Sequence, residues 1–245
     1  AGDTPLDVLE RIASGDMSQR RIALIEGLTT KQFIDRIQAN PDIIVTIDAE
    51  KPEELLTKLN SPYDSLEGLF YPDTYVFIPG DTDFDILRRA YVQFQAYLQE
   101  SWDNRDPGIP LKNPYELLIM ASIIEKETGL ATDRDNIAGV FMNRLKANML
   151  LQTDPTVIYG MGDSYEGRIR KVDLQTDTPW NTYTRRGLPP TPIANPGLAA
   201  LKAASHPAEH DYYYFVSRGD GSSAFAKNLQ EHNRNVRRFI LNKGE

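Results

Sequence analysis

"NPYELLIMASIIEKETG", Asn113 to Gly129, is the stretch on which the reading of this chain turns. Asn113 supplies a helix N-cap, Pro114 the first helical position and Glu116 the third, a combination that satisfies orphan backbone N–H groups and pre-sets the first turn. Gly129 is a natural helix end. Between them, Leu117, Leu118, Ile119, Met120, Ala121, Ile123 and Ile124 cover most of the circumference. A helix apolar nearly all round is a buried one. Two acids, Glu125 and Glu127, stand in its last turn. At about 100° per residue they point to nearly opposite flanks. Glu125 falls near Leu118 and Ala121, and Glu127 falls between Met120 and Ile123. An acid with apolar residues one turn back has its charged form disfavoured and its pKa raised, which suits a proton donor near neutral pH. Charged residues in a last turn also commonly face water, and periodicity by itself leaves that reading open for both.

Working outward, "NRDPGIPLKNP" before this helix reads as a loop, preceded by a long amphipathic helix from about Phe84 to Trp102 with Ile86, Leu87, Ala90, Tyr91, Phe94 and Leu98 on its buried side. "EGLFYPDTYVFIPGDTD", Glu67 to Asp83, is rich in aromatic and turn residues and predicts strand, turn, strand. The first residues predict a helix from Thr4-Pro5 to Gly15, then a short strand in "RRIALIEG". Thr29-Thr30-Lys31-Gln32 fits a capping box with Phe33, Ile34 and Ile37 buried, and a further helix is expected near Pro52 to Leu59. Downstream, "NIAGVFMNRLKANM" predicts a helix, "DYYYFVSR" a strand and "FAKNLQEHNRNVRRFIL" a terminal helix. Helices interleaved with short strands give an α+β class.

The bulk numbers narrow the function. The chain has 245 residues, enough for one or two domains with a real core. Its net charge of −8 and the lack of a Lys/Arg block argue against a nucleic-acid partner. There is no cysteine, hence no disulfide or thiol chemistry. The histidines, His206, His210 and His232, do not form a zinc motif, and no metal or cofactor is implied. No apolar run reaches the roughly 20 residues of a membrane span. "AGDTPLDVLERI" begins abruptly, almost at a helix, and suggests a preceding targeting segment.

The motifs "ASIIEKETG", "VFMNRL", "LQTDPTVIYG", "NTYTRRGLPPTPIANPG", "ALKAASHP" and "YYYFV", in this order, together with "EGLFYPDTY", closely resemble the MltG (YceG-like) family of endolytic murein transglycosylases. The match covers about Glu67 to the C-terminus. "GDTPLDVLERI" more weakly resembles the start of the family's LysM-like region. The resemblance implies a small LysM-like α/β region over residues 1–62 and a larger mixed α+β catalytic domain over 63–245. It implies cleavage of peptidoglycan glycan strands without water. One glutamate protonates the glycosidic oxygen beyond N-acetylmuramic acid, and the same residue acts as base for the C6 hydroxyl that closes onto C1, leaving a 1,6-anhydro end. The substrate's own acetamido group relieves the charge that develops. Such enzymes present Glu followed by Ser or Thr at the end of an apolar helix, which Glu127-Thr128 fits and Glu125-Lys126 does not. Glu127 is therefore the expected catalytic residue, with Glu125 supporting the site or making a structural ion pair. The resemblance also implies one amino-terminal membrane anchor, the periplasmic face of the bacterial inner membrane, and a link to membrane-embedded peptidoglycan synthases.

Other positions read as substrate contacts. Gln152 and Asp154 of "LQTDPTVIYG" are candidates to line a sugar groove, although Asp-Pro also opens ordinary turns and helices. Asn181 and Tyr183 offer an amide and a ring for an N-acetyl group and a sugar face. Arg144 suits a lactyl or peptide carboxylate, or a salt bridge in solvent. The prolines of "GLPPTPIANPG" predict a rigid loop, and His232 falls on a helix surface. Two rivals remain: a lysozyme-like hydrolase with Asp154 as the second acid, and a non-catalytic peptidoglycan-binding scaffold.

Overall fold

The structure, a computed structural model, describes residues 4–6 and 19–241, so the amino-terminal helix expected up to Gly15 lies almost wholly outside the described residues. Strand β1 (Arg20–Ala23) pairs antiparallel with β2 (Thr74–Phe77), with Arg20 opposite Phe77 and Ala23 opposite Thr74. Between them lie α1 (Thr30–Gln38) and α2 (Pro52–Lys58). Thr29 and Gln32 close the expected capping box of α1, which buries Phe33, Ile34 and Ile37. The sheet draws on both sides of residue 62, and one hydrophobic core runs from Ile22 in β1 to residues of the last core helix.

Helix α3 (Asp83–Asp103) carries its apolar stripe as expected. The central helix, α4 (Pro114–Glu127), has an Asn113 cap that accepts the Glu116 N–H at 2.9 Å. Leu117, Leu118, Ile119, Met120, Ile123 and Ile124 are all buried, each contributing about 1.5–3 kcal/mol as an upper bound. Around it pack α3, α5 (Ala131–Lys146) and α8 (Leu198–Ser205), with α8 in the most extensive contact. The buried Ser122 hydroxyl accepts the Ile193 N–H at 3.0 Å, which fastens the proline-rich loop onto α4. Asn195 from that loop, fully buried, accepts the Phe70 N–H and donates to the Leu28 carbonyl, joining three segments far apart in sequence.

After α5 come α6 (Asp154–Met161) and the short α7 (Lys171–Gln175). The chain ends in an antiparallel hairpin, β3 (Tyr214–Ser217) with β4 (Ser223–Ala226), followed by α9 (Leu229–Val236) and a π-helical turn over Arg237–Leu241.

Three expectations are corrected. Glu67–Asp83 holds one strand instead of two, because the second half, Gly80 to Thr82, turns directly into the α3 cap. Helix α5 begins five residues before Asn136. Phe225 and Ala226 belong to β4, and the last helix starts only after Asn228, whose side chain caps the Glu231 N–H.

A buried acid holds the amino-terminal half together. Asp83, fully buried, accepts the Thr46 N–H at 2.8 Å and hydroxyl at 2.7 Å, the Ile47 N–H at 3.1 Å and the Gln38 amide at 2.9 Å. Removing it strands several buried donors. Asp83→Ala is expected to lower the unfolding free energy by about 3 kcal/mol, measured by urea denaturation. A loss below about 0.5 kcal/mol, the usual scale of a surface change, would refute this role.

Candidate active site

Helix α4 ends at Glu127 because Thr128 leaves the helical region for an extended backbone, φ −148° and ψ 132°. That exit sets Glu127 at the floor of an open cleft of about 510 Å³ lined also by Arg144, Gln152, Asp154, Tyr183 and His232. Glu127 is half-buried. Its Oε1 accepts a hydrogen bond from the Thr153 hydroxyl, and Oε2 has no protein hydrogen-bond partner among the described residues. Burial pushes its pKa from the ordinary 4.5 up to about 7, against the Thr153 hydrogen bond, which lowers it; the neighbouring Asp154 charge adds to the rise, and Arg144 opposes it.

The loop from α5 to α6 supplies the next groups. Gln152 sits in the left-handed region, φ 49°, a conformation a non-glycine residue rarely adopts. It is exposed between the buried Leu151 and Thr153, so the strained backbone turns this one side chain outward. Asp154, also exposed, opens α6, and its Oδ1 accepts the Tyr183 hydroxyl. Burial and that contact with Asp154 push the Tyr183 phenol upward. Thus Gln152, Asp154 and Tyr183 converge on the cleft with Glu127.

Arg144 lines the cleft too, but as a buried bracket instead of a surface salt bridge. Its Nε donates to the Tyr213 carbonyl at 2.7 Å and its Nη1 to the Leu151 carbonyl at 2.6 Å. It thereby ties β3 to the loop that carries Gln152 and lies 5.3 Å from the centre of the Tyr214 ring. Asn181 faces inward and is fully buried. Its amide donates to the carbonyls of Asp173, Leu174 and Thr176, and its oxygen accepts the Tyr183 N–H at 2.8 Å. It therefore shapes the loop that presents Tyr183 and does not itself line the cleft.

Glu125 points to the other flank, as the helical wheel requires. It accepts the Gly197 N–H at 3.1 Å, at the start of α8, and burial raises its pKa. Of the two roles expected from sequence, support of the site or a structural ion pair, the second is not formed among the described residues: its hydrogen-bond partner is a backbone amide, and it does not line the cleft. His232 is the reverse case. The sequence places it on a helix surface, yet its ring lies 5.2 Å from Tyr214 and lines the cleft, because the β3–β4 hairpin folds α9 back over the site. Burial lowers its pKa, which favours the neutral ring. The pairing of β3 with β4 is the missing signal, since no local pattern around His232 reports where α9 lands.

A second buried acid, Glu67, also reaches a pKa of about 7 through burial. Both of its oxygens are used: Oε1 accepts the Thr30 N–H at 2.9 Å and Oε2 the Tyr159 hydroxyl at 3.1 Å. It joins α1 to α6 and fixes the helix that carries Asp154.

The structure is a mixed α+β fold wrapped around one buried helix, with a protonatable glutamate at the helix end in an open cleft, the class of arrangement that makes a candidate acid–base site. The YceG-like family model matches residues 1–238. The chain belongs to the YceG-like family. The endolytic murein transglycosylase of Bacillus subtilis (strain 168) is 40% identical over 185 residues, covering 74% of this chain and 49% of that protein. That of Streptococcus pneumoniae serotype 2 (strain D39) is 30% identical over 228 residues, covering 89% of this chain and 40% of the relative. The chain thus spans half or less of the length of these curated relatives. The crystal structure of a yceG-like protein from Listeria monocytogenes superposes with a TM-score of 0.73 at 32% identity, over 93% of this chain and 80% of the other.

The two raised acids predict how stability depends on pH. A folded-state pKa of about 7 against an ordinary 4.5 means that the native state binds more protons than the unfolded one between these values. Their contribution to stability is fully present below the ordinary value and is lost as pH rises through about 7. Glu127→Gln and Glu67→Gln should each flatten the fall in unfolding free energy over that window. An unchanged slope in either variant would show that the corresponding acid titrates normally.

Proposed function

We propose that this chain carries the catalytic site of an endolytic peptidoglycan lytic transglycosylase, cutting the bond between N-acetylmuramic acid and N-acetylglucosamine within glycan strands. The observation that carries the reading is Glu127: a carboxyl held near half-protonation at neutral pH, with one oxygen unoccupied, in an open cleft. The names of the relatives, endolytic murein transglycosylases, support murein as the substrate and a cut within the strand. The neutral Glu127 gives its proton to the glycosidic oxygen as the bond to C1 breaks. The C6 hydroxyl oxygen of the muramic residue then bonds to C1, and Glu127, now a carboxylate, takes the hydroxyl proton. The acid is regenerated, no water enters, and the product ends in a 1,6-anhydro sugar. One acid suffices, and a pKa near the working pH suits a group that must give and then take a proton.

The exposed Gln152 and Asp154 and the half-buried Tyr183 face the same cleft and are proposed to hold the sugars. Arg144 supports that wall from behind and lends positive charge beside Glu127. On this reading the whole protein works at the periplasmic face of the bacterial inner membrane, beside membrane-embedded synthases. None of the described helices is long and apolar enough to cross a membrane. Asp154 supports one rival. It lines the cleft with Glu127, so hydrolysis with Asp154 placing water or forming a covalent intermediate is the alternative.

Incubating the chain with peptidoglycan and weighing the fragments by mass spectrometry separates the two: anhydro ends support transglycosylation, reducing ends the hydrolase. Glu127→Gln should lower cleavage roughly 10²–10⁴-fold. The native rate should fall as pH rises above about 7, where the acid is lost. Cleavage retained in Glu127→Gln would remove Glu127 from the mechanism.

A further inference from the structure

Behind Glu127 stands a buried cluster of three threonines that lie within the quoted motifs but have no part in the proposed chemistry. Thr153, Thr156 and Thr182 are 2% exposed or less. The Thr153 N–H donates to the Thr182 hydroxyl oxygen at 3.1 Å, and the Thr156 hydroxyl donates to the Thr153 carbonyl at 2.7 Å. The Thr156 and Thr182 oxygens lie 2.8 Å apart. Since the single Thr156 proton is committed to the Thr153 carbonyl, Thr182 donates to Thr156. Both backbone groups of Thr153 are therefore clamped by buried hydroxyls, and its own hydroxyl is left with one acceptor, Glu127 Oε1. That contact fixes which oxygen of Glu127 is engaged. In the neutral acid the proton resides on Oε2, the oxygen without a protein partner among the described residues.

We propose that Thr153 is the positioning residue for Glu127, clamped by Thr156 and Thr182 so that its hydroxyl fixes the carboxyl and directs the acid proton to Oε2. This rests on the reading of Glu127 as the acid and base. The same hydrogen bond stabilises the carboxylate once the proton has left, which keeps Glu127 able to act as an acid at neutral pH and limits the rise that burial imposes. The other titratable groups facing Glu127 are Asp154 at the start of α6, Tyr183 from the following loop and Arg144 from α5; His232 from α9 shares the cleft. None of them touches Oε1.

The test uses Thr153→Val, which keeps the shape and the backbone clamp but removes the hydroxyl, and Thr153→Ser, which keeps the hydroxyl. Glu127 is titrated by carbon-13 NMR of its side chain in the full chain, with Glu127→Gln giving the assignment. In Thr153→Val the midpoint should rise by about one unit or more above its native position, the scale of a hydrogen bond to a charged group. The alkaline limb of kcat should move the same way, and kcat should fall about tenfold or more with little change in KM. Thr153→Ser should restore both. An unmoved midpoint in Thr153→Val, or an equal shift in both variants, overturns the proposal. If the native chain cleaves no peptidoglycan, the transglycosylase reading fails while the NMR midpoint still decides whether Thr153 governs Glu127.

Discussion

Everything in this molecule follows from burying a helix that has no polar side. Helix α4 cannot lie on a surface, so it must be covered all round, and α3, α5, α8 and the proline-rich loop supply that cover. Such a helix is placed rigidly, because close-packed interiors leave little room to shift. Its carboxyl end is where the cover runs out. A carboxylate there is partly desolvated by the same packing that stabilises the fold. The raised pKa of Glu127 is thus a by-product of the core, at a cost in stability that the core is large enough to offset.

The turn out of the helix decides how that acid is used. Thr128 is extended, and its hydroxyl accepts the Leu130 N–H at 3.0 Å, which ends α4 sharply and starts α5 in a new direction. Helix α5 then brings Arg144 to the cleft, and Arg144 in turn ties the Gln152 loop to β3. One wall of the site is therefore assembled from segments far apart in sequence, the Leu151 loop and the residue before β3, by a single buried guanidinium. A lysine could not span both carbonyls with a fixed fork.

Much of this was legible in the sequence, and for stated reasons. The Asn113-Pro114 start, the Thr29 capping box and the stripe of α3 are local patterns, and local physics forms them as written. The opposite flanks of Glu125 and Glu127 follow from helical geometry alone. What was not legible depends on turn geometry or on contacts far along the chain. Asn181 reads as a sugar ligand from its type, but three carbonyls of the α7 turn claim its amide. Arg144 reads as a carboxylate ligand or a solvent salt bridge, and only the distant Tyr213 carbonyl shows that it is a buried bracket. His232 reads as surface because only the hairpin fold brings α9 across the cleft. Thr153 escapes notice in sequence because a threonine before Asp-Pro looks like an ordinary helix cap.

A raised pKa does not by itself single out the reactive acid, and this protein shows why. Glu67 and Glu127 are both pushed to about 7 by burial. Glu67 is engaged at both oxygens: the Thr30 N–H donates to one and the Tyr159 phenol to the other, and it lines a different pocket from the cleft of Glu127. Glu127 keeps one oxygen engaged and one free at the edge of a cleft. Desolvation sets how readily each group gives up its proton, and hydrogen-bond occupancy sets whether anything can receive it. The same burial energy therefore makes one glutamate a fastening between α1 and α6 and makes the other available for chemistry. The difference lies in one carboxyl oxygen left without a protein donor among the described residues, and not in either residue's titration.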